Sequence, residues 1–235
     1  MSAASQKADG GTRKARSRAY HGRDATLVIG AVGALSAVII ANQFLLRFLF
    51  GTDLLGSMRT EAQALHEVQV FAAWAPMFVA FVLASGLATL SAPAAIAAVA
   101  SQPGRLEAVP NVVRLFIGAC LAAAVLGFGV AVVLGPEGLG GTDRIFYYGG
   151  LAVVWLTFVG MALLALRYRD TGQVFDWLLH NTAVANIALL ILPQMYFWPL
   201  FGLNVQEAYS TAVTIAPVGT LLASYGYALF IRDQL

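Results

Sequence analysis

The chain has 235 residues, of which 59% are hydrophobic and only 11% charged, with a mean hydropathy of +0.75. So apolar a chain is excluded from the class of soluble domains and reads as a polytopic membrane protein. A formal charge of +2 points to no nucleic-acid partner, and the single cysteine, Cys120, allows no disulfide and no cysteine-based metal site within one chain.

The expected fold is all-α, a membrane bundle of six transmembrane helices near residues 25–49, 64–90, 111–134, 145–167, 178–201 and 207–231. Each run supplies the roughly 20 apolar residues that a helix needs to cross a hydrocarbon core about 30 Å thick. None alternates with a period of two, as a transmembrane strand would.

Residues 1–24 form a separate region rich in Ser, Gly and Ala that carries Lys7, Arg13, Lys14, Arg16, Arg18 and Arg23. Such a composition buries nothing and is expected to be a disordered basic tail. Its charges set topology. With the N-terminus in the cytoplasm, Arg105, Arg114, Arg167, Arg169 and Arg232 fall on the same side, giving eleven basic residues inside against Arg47, Arg59 and Arg144 outside. Six spans with both termini cytoplasmic satisfy the positive-inside rule, whereas five or seven break it. The expected location is a cell membrane, of prokaryotic plasma-membrane type, with the lipid bilayer as the first partner.

The first span carries Gly30, Ala34, Ala37 and Ala41 as a stripe of small residues where another helix approaches closely. In the loop that follows, Thr60 and Gln63 have the spacing of a capping box, so the second helix is expected to begin near Glu61. His66 lies between Glu61 and Glu67, with Asp53 on the same side, but no paired histidines accompany it and no metal or cofactor is expected. The second span contains Pro76 as a helix break and is expected to end near Leu90. The small, Pro-punctuated run from Ser91 to Gly104 then reads as a re-entrant or interfacial segment.

The third span aligns Ala119, Ala123 and Gly127 at steps of four, again a surface for close packing. At the start of the fourth, Tyr147 and Tyr148 are expected in the outer aromatic belt. Asp170 and Asp176 fall in the loop after it and are read as solvated rather than catalytic.

The last quarter carries most of the polar atoms at hydrocarbon depth: Asn186, Gln194, Ser210, Thr214, Thr220 and Ser224, with helix breaks at Pro193 and Pro217. Lone polar groups in hydrocarbon must find partners inside the protein, so spans five and six are expected to face the bundle interior and to pair their polar stripes. This seam reads either as helix glue or as a binding or permeation path, with a kink at Pro193 or Pro217 that brings Gln194 to a neighbouring helix. No Asp, Glu, Lys or Arg stands at the centre of a span, and no Walker loop or paired carboxylate site is present, so an enzyme acting alone is the least expected class.

The run Pro193, Met195, Pro199, Gly202, Leu203 and Asn204, with a later Ala216 and Pro217, resembles the C subunit of the copper membrane monooxygenases, which oxidise methane or ammonia and also have six spans. That family follows its GLN with an acidic residue, an aromatic and a histidine. Here Val205, Gln206 and Glu207 stand instead, and the histidines expected around the fourth span are absent, so no metal-binding role is carried over. The resemblance implies a diverged, non-catalytic subunit. Small-residue faces on several helices and a charge-free interior make an integral subunit of a larger membrane complex the leading expectation, with other membrane chains or further copies of itself as partners. A transporter or channel for a neutral or weakly polar solute through the seam is the alternative.

Overall fold

The structure is a computed structural model that describes residues 61–102, 105–134, 143–187, 191, 194 and 197–234. The expected basic tail, the first span with its small-residue stripe, and Pro193 lie outside the described residues. Those described form five α-helices and no strand: α1 Glu61–Ala100, α2 Asn111–Leu134, α3 Asp143–Tyr168, α4 Thr171–Ala185 and α5 Val205–Gln234, with a 3-10 turn at Trp198–Phe201 before α5. Four segments, Val68–Ala100, Asn111–Val133, Ile145–Tyr168 and Glu207–Leu229, are long and apolar enough to cross a membrane.

α1 begins at Glu61, where the Thr60 and Gln63 spacing puts a helix start. It is interrupted at Trp74 (φ −121°, ψ 21°), two residues before Pro76. Pro76 has no N–H for the carbonyl of Ala72 and its ring crowds that turn, which accounts for the kink. The expected end near Leu90 is not observed: the helix continues through Pro93 to Ala100, and the Ser91–Gly104 run is helical over its first ten residues rather than re-entrant. Burial explains the difference. Ala88, Ala92, Ala95, Ile96 and Val99 recur at helical spacing with no exposed surface, and packing along that face outweighs the one hydrogen bond that proline removes. Ser91 adds a local bond from its hydroxyl to the Leu87 carbonyl at 2.6 Å.

α2 returns antiparallel against α1. Ala119 and Ala123 are buried, and a Cβ placed on Gly127 would sit 3.0 Å from Phe81 Cε2, so the small-residue stripe read from the sequence is a line of close helix contact. Gly129 lies equally close to the Met77 sulfur, 3.0 Å from where its Cβ would be.

α3 and α4 are joined by a tight turn. Arg169 adopts the left-handed conformation (φ 56°) that ends α3, and Asp170 caps α4 by accepting a hydrogen bond from the Gln173 N–H at 3.0 Å. Asp170 is thus an N-cap, which draws the start of the helix back to Thr171 from the expected 178. The turn is tied to the α1–α2 loop: Leu106 N–H donates to the Arg169 carbonyl at 3.0 Å, the Arg169 guanidinium donates to the Glu107 carbonyl at 3.0 Å, and the backbones of Arg105 and Asp170 pair antiparallel at that one point. Arg105, Arg114, Arg167 and Arg169 therefore gather at one end of the bundle.

α4 is also shorter than expected. Its backbone is ended by Asn186, whose N–H reaches the carbonyls of Thr182 at 3.1 Å and Ala183 at 3.3 Å, while its side-chain amide donates to Thr182 O at 2.8 Å. Fifteen residues give a helix of about 22 Å, less than a full hydrocarbon core. α5 starts with a reciprocal cap in which Asn204 Oδ1 accepts from Glu207 N–H at 3.0 Å and Glu207 Oε2 accepts from Asn204 N–H at 2.9 Å. It runs through Pro217 as one continuous helix.

The main core lies among α1, α2, α3 and α4, filled by Ile96, Val99, Val113, Phe116, Cys120, Val159, Val174 and Leu178, with Ala228 closing it from α5. A smaller core joins Ile187, Ile191, Tyr209, Ala212, Val213 and Ala216. Tyr147 and Tyr148, expected in an aromatic belt, are half-buried against this second core, and Tyr209 Oη donates to Tyr148 Oη at 2.9 Å.

Candidate functional site at a buried histidine

The polar residues singled out in the last quarter take different places. Thr214 is exposed and its hydroxyl donates to the Ser210 carbonyl at 2.8 Å, while half-buried Thr220 donates to Ala216 O at 2.7 Å. Both bonds run back to the residue four earlier on the same helix. Ser210 and Pro217 are half-buried on α5. Gln194 accepts from the Trp198 indole N–H at 3.2 Å, a partner four residues along the chain rather than across the bundle. Asn186 is buried and serves as the C-cap of α4. Among Gln194, Thr214, Thr220 and Ser224, it is Ser224 whose side chain bonds another of the long helices.

That partner is His180, in the middle of α4 and only 3% exposed. Its Nδ1 lies 3.0 Å from Ser224 Oγ, and the same hydroxyl stands 2.9 Å from the Leu221 carbonyl. The serine has one hydrogen, so the arrangement that satisfies all three groups has Nδ1–H donating to Oγ and Oγ–H donating to Leu221 O. Three aromatic rings enclose the imidazole: Tyr225 of α5 with centroids 4.0 Å apart, Trp177 of α4 at 5.3 Å edge-on, and Phe158 of α3 at 5.6 Å. Phe158 and Trp177 also touch, at 5.6 Å. His180 is therefore the point at which α3, α4 and α5 meet.

A serine within hydrogen-bond reach of an imidazole is the spacing of a nucleophile and its base, and that chemistry also requires a third group to orient the ring. Among the described residues, the rings packed on the imidazole are aromatic faces and edges, and the pair joins α4 to α5. Lying near one end of the expected fifth span, His180 by its position alone shows no sign in the sequence of this burial. The available signal was Trp177 and His180 three residues apart, which places them on one helical face, together with Ser224 and Tyr225 adjacent on the last helix.

Further polar atoms are buried without a protein partner: Ser85 Oγ, Thr89 Oγ1, Thr171 Oγ1 and Asn181 Oδ1; the buried Trp155 indole lies beside the Cys120 thiol. None of these was a candidate from sequence. Among the described residues no three His, Cys, Asp or Glu side chains gather as metal ligands.

The fold is thus that of an all-helical bundle with four membrane-compatible helices, built around an aromatic and histidine junction. Comparison with protein-family models, with curated proteins and with solved structures finds no match for this chain.

Proposed function

We propose that the chain is an integral membrane subunit of a larger assembly, non-catalytic by itself, crossing a cell membrane six times with both termini in the cytoplasm. The observation that carries this reading is the way the last helix uses its polar atoms. The hydroxyls of Thr214 and Thr220 are turned back onto their own helix, and that of Ser224 is held between His180 and Leu221, as suits a packing element. A solute path needs polar groups free to exchange partners with what passes. A diverged C subunit of a copper membrane monooxygenase-type complex is one form that such an assembly takes, and metal analysis of the intact assembly tests it.

The experiment is purification in a mild detergent followed by native mass spectrometry and a liposome flux assay. The subunit reading expects Ala37→Leu, which widens the small-residue stripe of the first span, to reduce the assembly, and Gln194→Leu and Thr214→Val to leave it intact. A carrier for a neutral solute would show the reverse: flux lost in Gln194→Leu or Thr214→Val with assembly unchanged. An Ala37→Leu protein that assembles normally overturns the leading reading.

A further inference from the structure

Several helical hydroxyls among the described residues bond the carbonyl four residues earlier. Ser91, Thr157, Thr182, Thr214 and Thr220 all do so, at 2.6 to 2.9 Å. Ser85 and Thr89 do not: their hydroxyls are buried, unbonded by protein, and lie on the face of α1 that carries Ala88, Ala92, Ile96 and Val99 into the main core. Pro93 adds to this, since it has no N–H to give the carbonyl of Thr89 four residues before it.

A complementary acceptor stands on α4. Asn181 is fully buried, its Nδ2 donates to Trp177 O at 2.8 Å, and its Oδ1 has no protein partner. It continues the stripe of Val174, Leu178 and Ala185 at spacings of four, three and four, and those residues belong to the same main core as Ala88, Ala92 and Ile96. α1 and α4 pack against each other.

Depth brings these groups together. The Leu106 to Arg169 hydrogen bond and the backbone pairing of Arg105 with Asp170 put the C-terminus of α1, the C-terminus of α3 and the N-terminus of α4 at one end of the bundle. At 1.5 Å per residue, Thr89 is about 16 Å from that end along α1 and Asn181 about 15 Å along α4. Ser85, also buried and without a protein partner, is about 22 Å along α1. The level of Thr89 and Asn181 is the middle of the bundle.

We infer that α1 and α4 hold a water-sized ligand between Thr89 and Asn181, with Ser85 one turn beyond as its further partner. The set defines the ligand chemistry. Asn181 Oδ1 only accepts and the hydroxyls both donate and accept, so the occupant donates to Asn181 and can accept from a hydroxyl, as water does. An all-apolar occupant or a bare anion fails one half of the set. Buried polar groups of this kind are ordinarily satisfied by internal water making about three bonds.

Two measurements on the full chain in detergent micelles test the site. A cryo-EM map of the unmodified protein at about 2 Å should show a separate peak within about 2.6–3.2 Å of both Thr89 Oγ1 and Asn181 Oδ1. A direct Thr89 to Asn181 bond, or a Thr89 hydroxyl turned back to the Ser85 carbonyl with no such peak, overturns the inference. The second measurement is a cycle of Thr89→Val, Asn181→Leu and the double variant, read as unfolding equilibrium constants. Each single change should shift the constant roughly tenfold, because the ligand and the remaining partner are left incompletely bonded, and the double variant should be no worse than the poorer single. Effects that multiply to about a hundredfold mean that the two residues share no ligand. Should Asn181→Leu not fold, the map of the unmodified protein decides alone.

Discussion

Gly127 allows a quantitative test of how tightly α1 and α2 are packed. Three glycines of α2 differ only in what a methyl group would meet: at Gly118 nothing lies within 4 Å, at Gly129 the nearest atom is the Met77 sulfur at 3.0 Å, and at Gly127 it is Phe81 Cε2 at 3.0 Å with two more ring atoms behind it at 3.7 and 3.8 Å. Replacing glycine by alanine inside a helix is worth about 1 kcal/mol from backbone propensity alone. Gly118→Ala should therefore stabilise the chain by up to about that amount. At Gly127 the new carbon falls 0.5 to 1 Å inside an ordinary carbon contact of about 3.5–4.0 Å, and overpacking of that kind costs about 1–3 kcal/mol, so the net effect is a destabilisation of about 1 kcal/mol. Gly129→Ala should fall between them, because a thioether swings aside more readily than a ring. Unfolding of the three variants in mixed detergent micelles gives the order. Phe81→Leu should cost less in the Gly127→Ala background than in the native chain. Gly127→Ala as stable as Gly118→Ala, or no relief from Phe81→Leu, would refute the close packing of α1 and α2.

The junction at His180 should respond in graded fashion: Ser224→Ala removes one interhelical bond and should cost about 1 kcal/mol, whereas His180→Ala also empties the space among Phe158, Trp177 and Tyr225 and should cost about 2–4 kcal/mol, measured by the same unfolding assay. Equal losses for the two would mean that the aromatic enclosure adds nothing. At Arg169, both Arg169→Gly and Arg169→Ala lose the bond to Glu107 O, so their difference isolates the left-handed backbone, and glycine should be the more stable by about 1 kcal/mol. Identical stabilities would show that the turn relaxes.

The parts of the fold legible in the sequence are those written in short-range patterns. The start of α1 follows from the Thr60 and Gln63 spacing, and the α1–α2 contact from Ala119, Ala123 and Gly127. Membrane-compatible helices follow from composition. The parts missed depend on what lies opposite. Pro93 reads as a breaker until the buried face of Ala88, Ala92, Ala95, Ile96 and Val99 is seen to hold its helix together. Asn186 reads as a buried polar group in mid-span, yet it ends α4 with its own backbone and side chain. Thr214 and Thr220 read as members of a seam because helical spacing aligns them, but alignment does not say whether a hydroxyl turns outward or back to its own carbonyl four residues earlier. His180 falls near the end of the expected span at 178, whereas the Asp170 cap draws the start of α4 seven residues further back and sets that histidine inside the helix.

Cys120 sits on α2 with no exposed surface, inside the core shared with Phe116, Val159 and Leu178, and it is the chain's only thiol. A maleimide reaches it only when α2 separates from its neighbours, so the rate at which the native protein is labelled is a clock for opening of the bundle. Under slow reagent attack that rate is the fraction of molecules open multiplied by the rate for a free thiol, which converts directly into a free energy of local opening. Every substitution proposed above can be read with this clock without adding a probe. Cysteines introduced elsewhere for mapping which end of each helix faces which compartment report against a silent background.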